Sequence, residues 1–252
     1  MRAASANALA ALGRNDIRGT YREPLLVMVV LAPVIWTAGV AFLTPMFTEM
    51  LSQRYGFDLV PYYPLVLTAF LLLTSIIIVG GLAAMLVLDE LDGGTMAALR
   101  VTPVPLVTYF AYRAGTVMAV TTIYVVATMS FSGILAPGLI PALIPIGLVA
   151  GLSAVVTLLL IVAVASNKIQ GIAMIRALGM LIAGLPCLPW FIDSAWNLAF
   201  GVLPPYWAAK AFWVASEHGV WWPYLVGGAV YNVTVAWVLF QRFMAKAQRS
   251  AK

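Results

Sequence analysis

Asp89-Glu90-Leu91-Asp92-Gly93-Gly94-Thr95-Met96-Ala97-Ala98-Leu99-Arg100-Val101-Thr102-Pro103 is a polar interruption between two long apolar runs, 62–88 and 104–135. Three acids close the first run, where a membrane span must leave lipid, because a carboxylate in hydrocarbon is costly. Gly93-Gly94 predicts a helix stop with left-handed backbone, which glycine adopts without penalty. Thr95 then predicts an N-cap for a short helix, 96–101, that Pro103 ends. Such a helix is far below the ~12–15 residues at which an isolated helix becomes marginal in water, so it needs a surface to pack on. Met96 and Leu99 offer one small apolar face, and Arg100 complements the negative end of the helix dipole. On the residues alone, an ordinary tight membrane loop accounts for the stretch as well.

The rest of the chain sets this loop in context. With 252 residues, 63% hydrophobic and 9% charged, it has the composition of a multi-span membrane protein. At ~20 residues per crossing, six spans and short loops fill it as a single all-α transmembrane domain over 1–252, without room for a soluble catalytic domain. The expected spans are 24–47, 62–88, 106–135, 139–165, 169–185 and 223–240. Pro33 should kink the first, 48–61 reads as a loop, and Arg113 is placed to snorkel to the interface near the start of the third.

Two flanking segments read differently. Residues 8–22 predict an amphipathic helix lying in the membrane interface, with Arg14, Arg18 and Arg22 on one ladder and Leu9, Ile17 and Tyr21 on the other flank. A merely solvated basic leader is the alternative. Between 190 and 222 come Trp190, Phe191, Trp196, Phe200, Tyr206, Trp207, Phe212, Trp213, Trp221 and Trp222 among few charges. Such rings belong at headgroup level, and two short re-entrant helices, 194–201 and 205–216, are expected on the outer side. With six spans, only Arg54 and Lys210 of the 14 Lys and Arg fall outside, so both termini are expected in the cytoplasm. This distribution along one side of a membrane also argues against a nucleic-acid partner.

Several chemistries lack their residues. One cysteine, Cys187, and one histidine, His218, leave neither a disulfide nor a Cys- or His-based metal cluster. None of Lys168, Lys210, Lys246 and Lys252 follows a glycine, so no P-loop is present. No titratable relay sits at mid-span, which disfavours proton or sodium coupling. Arg176 comes nearest, about two turns into the fifth span, where a charge costs up to ~3 kcal/mol. Snorkelling, or contact with an anionic substrate or lipid headgroup, would each relieve that cost. Gly151-Leu152-Ser153-Ala154 is similar to the serine motif of rhomboid-type intramembrane proteases. A serine nucleophile needs a base in reach, and His218 is expected on the outer surface, so close helix packing explains these small residues better.

Glu90, Gly94-Thr95, Leu99 and Pro103 resemble the loop between the second and third spans of type-2 ATP-binding-cassette permeases, and the order of features over nearly the whole chain fits that family. Leu91-Asp92 departs from it, since members often carry a basic residue there. The resemblance implies that 89–103 is the coupling loop docking on a separate ATPase subunit, through Glu90, Gly94, Thr95, Met96, Leu99, Arg100 and Pro103. ATP and magnesium are then expected on that partner, with no cofactor on this chain. It further implies a second permease subunit, a bacterial cytoplasmic membrane, and a path lined by the first, second and fifth spans. Met28, Trp36, Phe70, Thr74, Met174, Arg176 and Met180 are the candidates along it. The apolar mid-membrane composition favours a hydrophobic or amphiphilic cargo, a drug or lipid, moving by export. A non-transporting assembly subunit is the alternative.

Overall fold

The computed structural model describes residues 24–93 and 106–249. The expected interfacial helix with Arg14, Arg18 and Arg22 lies outside the described residues, as do Gly94, Thr95, Met96, Leu99, Arg100 and Pro103. The described residues form helices and turns, with no strand among them.

Helix α1, Pro24–Tyr55, is followed by a 3-10 turn, Val60–Tyr62, and by α2, Tyr63–Leu67. A π-helical turn, Thr68–Leu72, joins α2 to α3, Leu73–Asp92, so that the second span is one long rod. Next come α4, Leu106–Ser130, α5, Ile140–Val164, and α6, Lys168–Gly184. Two 3-10 segments, Leu185–Phe191 and Ala195–Val202, lead to α7, Tyr206–Ser216, and finally α8, Trp222–Arg249. Six helical stretches among the described residues are long and apolar enough to cross a bilayer. The chain is a multi-pass membrane protein. Its two ends are called here the acidic end, at Asp92, and the aromatic end, at α7.

The fourth span is the hub. α5 packs against α4, α8 and α3, and the most apolar stretch of its span is 78% buried, against 17% for the first span and 11% for the last. A helix apolar all round is what a bundle centre requires. Small residues allow the close approach. A Cβ on Gly80 would stand 2.7 Å from the Ala154 carbonyl, and one on Gly151 would stand 2.8 Å from Met118 Cα. The packing role expected for Gly151 and Ala154 is therefore the observed one. Ser153 is occupied as well, its hydroxyl within bonding distance of the Val149 and Pro204 carbonyls, neither of which is a base.

Three expectations need correction. The stretch 48–61 is not a loop, because α1 continues to Tyr55. It ends in an αL C-cap, with Gly56 at φ 64 and Gly56 N donating to Ser52 O, and Phe57 N donating to Leu51 O beyond it. Polar Glu49, Ser52 and Gln53 read as loop, but a helix leaving the bilayer has no need of an apolar face. At the other end of the second span, Gly93 does follow the last helical residue, Asp92. Gly93 itself is at φ −76 and not left-handed, and Gly94 lies outside the described residues. The third helix stops at Ser130, short of the expected 135, and Gly133 turns the chain at φ 74.

The aromatic segment also differs in part. Short helices stand where re-entrant ones were expected, but Tyr206, Phe212 and Trp213 are buried core residues and not headgroup anchors. Trp196, Phe191 and Trp222 keep the exposed role. Trp213 ties α7 to the second span, since its indole Nε1 donates to Thr68 Oγ1 at 2.7 Å, at the start of the π turn. Burial pushes the Tyr206 phenol up to about 12, with neighbouring Tyr224 adding to it, so it stays a neutral donor to Asn197 Oδ1 at 3.2 Å.

Candidate functional site

The acids that open the 2–3 loop are the first candidate. Each turns to other residues of this chain. Arg113 Nη2 donates to Glu90 Oε1 at 2.9 Å and to the Tyr109 hydroxyl at 3.1 Å, and the Tyr109 hydroxyl donates to Glu90 Oε2. The arginine also lies over the Tyr109 ring, 5.5 Å from its centroid. Arg113 and Tyr109 are 2% and 1% exposed, so the expected snorkelling of Arg113 to open interface does not occur. Tyr109 and Arg113 are one turn apart on α4, which brings both to the same carboxylate across the helix pair.

The neighbouring acids reach a different element. Asp89 Oδ1 accepts from Lys168 Nζ at 3.1 Å, and Asp92 Oδ2 accepts from the Lys168 backbone N–H, also at 3.1 Å. Lys168 is the first residue of α6, whose N-cap Asn167 accepts from Gln170 N at 2.9 Å. A carboxylate at a helix N-terminus meets orphan donors and the positive end of the dipole. Three acids within the last turn of α3 thus distribute the root of one loop between the third span, through Glu90, and the fifth, through Asp89 and Asp92. The pairing residues Tyr109 and Lys168 were missed as site residues. Their signal was present, since each is a polar group at the acidic end of a neighbouring span.

The mid-membrane candidates separate. Trp36 and Phe70 come together, ring centroids 5.6 Å apart, on a groove of 290 Å³ between the first and second spans that also includes Gly39, Val40, Leu43 and Val66. Phe70 lies within the π turn, a helix irregularity that recurs at functional positions. Thr74 turns its hydroxyl back to the Ala69 carbonyl at 3.3 Å. Met174 packs against the core, whereas Arg176 and Met180 lie on an exposed face of α6. The Met28 side chain lies outside the described part of α1.

A second cavity, of 670 Å³, opens at the aromatic end. Trp190, Trp213 and Tyr224 form part of its wall, with Asp193, Lys210 and Glu217 around it. This size suits a small organic molecule. The cavity walls come from 189–224, nearly all of it the aromatic segment that the sequence set apart.

Comparison with known proteins now bears on these sites. Residues 16–240 match a family described as "Fluoroquinolones export permease protein Rv2686c-like". The fluoroquinolones export permease protein MT2760 of Mycobacterium tuberculosis (strain CDC 1551 / Oshkosh) is 81% identical over 243 residues, 96% of either chain. The fluoroquinolones export permease protein Rv2686c of Mycobacterium tuberculosis (strain ATCC 25618 / H37Rv) matches to the same extent. No solved structure matches the chain.

Proposed function

The chain belongs to the Rv2686c-like family of fluoroquinolones export permeases, and on that premise we propose that it forms the membrane path of a two-component drug exporter for fluoroquinolone-type compounds. The observation that supports this reading most is 81% identity sustained over 96% of both chains. It is a transport subunit and not an enzyme. In this proposal a separate ATPase supplies the energy, with ATP and magnesium bound there, and a second permease completes the path. The acidic end faces the cytoplasm of a bacterial cell membrane and the aromatic end faces outward.

The loop beginning at Gly93 meets the ATPase, with Met96 and Leu99 as its apolar contact and Gly94, Thr95, Arg100 and Pro103 shaping it. Glu90 does not take part in that contact directly. It anchors the loop's root to Arg113 and Tyr109, so a push on the loop is delivered to the third span, while Asp89 and Asp92 deliver it to the fifth. Such coupling needs rigid elements linked by discrete contacts, and the pairs observed here are of that kind.

The test is drug accumulation in a host deprived of its own exporters. This permease with its cognate ATPase should lower intracellular fluoroquinolone, and the permease alone should not. Unchanged accumulation when both are present in the membrane would end the export reading. Orientation is checked in a Cys187→Ser background. Ser52→Cys should react with an impermeant thiol reagent added outside, and Ser166→Cys should not.

A further inference from the structure

Arg176 lies on the face of α6 that the rest of the subunit leaves open, between Ala173 and Met180, the latter 80% exposed. It stands ~12 Å along the helix axis from Lys168, about two turns inside the crossing. Among the described residues it has no hydrogen-bond or carboxylate partner. A guanidinium cannot lose its charge in a protein and is not left bare in hydrocarbon. Something outside this fold must therefore supply the anion.

A second copy of the chain does not. Its nine acids are Asp16, Glu23, Glu49, Asp58, Asp89, Glu90, Asp92, Asp193 and Glu217. The first two precede α1, and Asp89, Glu90 and Asp92 are held at the acidic end by Lys168 and Arg113. Glu49 and Asp58 belong to the aromatic end with Asp193 and Glu217. None of the seven acids among the described residues is on a span at the depth of Arg176.

The cargo has the opposite problem. Fluoroquinolones carry a carboxylate on a planar ring system, and that charge cannot cross an apolar path without a cation to replace water. Among the described residues Arg113, Arg176 and Arg242 lie about two turns inward of the helix ends at the acidic side. Arg113 is sealed against Glu90, and Arg242 stands in the last turn of its span, so Arg176 is the deeper open charge. Resting on the export reading above, we propose that Arg176 binds the carboxylate of the cargo inside the membrane path. It thereby selects acidic, planar amphiphiles over their neutral analogues. The fork of donors on a guanidinium matches a carboxylate in a bidentate arrangement, which an ammonium cannot reproduce. Ala173, Ala177 and Gly179 beside it are small, so a rigid ring can come close to the helix.

The experiment uses the permease with its ATPase in membrane vesicles, and compares norfloxacin with its ethyl ester as transported probes. Arg176→Gln should raise the KM for norfloxacin at least tenfold and leave export of the ester within twofold of the parent. Arg176→Lys should recover part of the norfloxacin activity, since it restores charge without the fork. Equal export of both probes by Arg176→Gln and the parent would make the arginine a lipid-phosphate anchor and overturn the proposal. Equal loss of both would assign it to folding or assembly and overturn it as well. If the parent exports neither probe, the drug-export reading itself falls, a result distinguishable because it does not involve the variants.

Discussion

Arg113 of α4 and Arg176 of α6 each start about two turns from the acidic end of the bundle, and the fold treats the two charges in opposite ways. Arg113 is closed in, with Glu90 and the Tyr109 hydroxyl as fixed partners. Arg176 faces outward with no partner among the described residues. The same side chain about two turns from the same end is thus a structural tie in one helix and an exposed charge without an internal partner among the described residues in the other. What separates them is the neighbouring helix. α4 lies beside α3, whose last turn carries Glu90, whereas the open face of α6 has no acid-bearing helix over it. The lesson is that charge in a span does not by itself mark a functional site. An internal counter-charge decides which kind of site it is.

The largest expected effect would break this contrast if absent. Arg113→Met removes one partner of a buried pair and strands the Glu90 carboxylate, a change that typically costs ~3–5 kcal/mol. Arg176→Met gives up no internal bond, so it should leave stability near that of the parent. The single thiol, Cys187, half-buried in the aromatic-end half of the fifth span, gives a readout. Its reaction with a fluorogenic maleimide on heating in detergent reports unfolding. A markedly lower midpoint is expected for Arg113→Met alone. Matching midpoints for the two variants would show that the pair in α3 and α4 does not hold the bundle together.

A second comparison separates holding from transmitting. Glu90→Leu combined with Arg113→Met replaces the buried pair by apolar groups, which is often neutral or better for stability. The double variant should recover most of the midpoint lost by Arg113→Met, yet remain impaired in ATP-driven export if the pair carries motion from the loop to the third span. Recovery of both stability and export would mean that the pair is only a packing feature. Assembly with the ATPase should survive in either case, because Glu90 faces inward.

The sequence made the six crossings legible because each is a long apolar run bounded by charges or prolines. Glu90 was marked out by the resemblance of its loop to that of type-2 ATP-binding-cassette permeases. Its partner was not legible. Pairing Glu90 with Arg113 requires the rotation of α4 about its axis, and a nearly uniform apolar helix gives no periodic signal for that rotation. The inward turn of Tyr206, Phe212 and Trp213 was hidden for a related reason, since an aromatic ring suits both a headgroup layer and a core. Trp36 and Phe70 were named as separate path candidates, and their meeting across a groove depends on the register of α1 against the second span. By contrast, the αL cap at Gly56 was readable. A glycine following a polar but unbroken helical stretch is a stop signal, and the loop assignment overlooked it.

The smallest expected effect concerns the other arm of the loop's root. Lys168 and Asp89 are 30% and 57% exposed at their side chains, so water and salt screen this ion pair. Exposed pairs contribute ~0.2–1 kcal/mol, and Lys168→Ala should lower the midpoint only slightly, by less again in 0.5 M salt. The backbone contact from residue 168 to Asp92 does not depend on the lysine side chain and should remain. Asp92→Asn reduces the favourable charge at the N-terminus of α6 and should cost a similar few tenths to ~1 kcal/mol. The two effects are separable, because only the first removes the pair with Asp89. A drop for Lys168→Ala as large as that of Arg113→Met would erase the distinction between the exposed arm and the buried one. It would show that the loop is anchored to the fifth span at least as firmly as to the third.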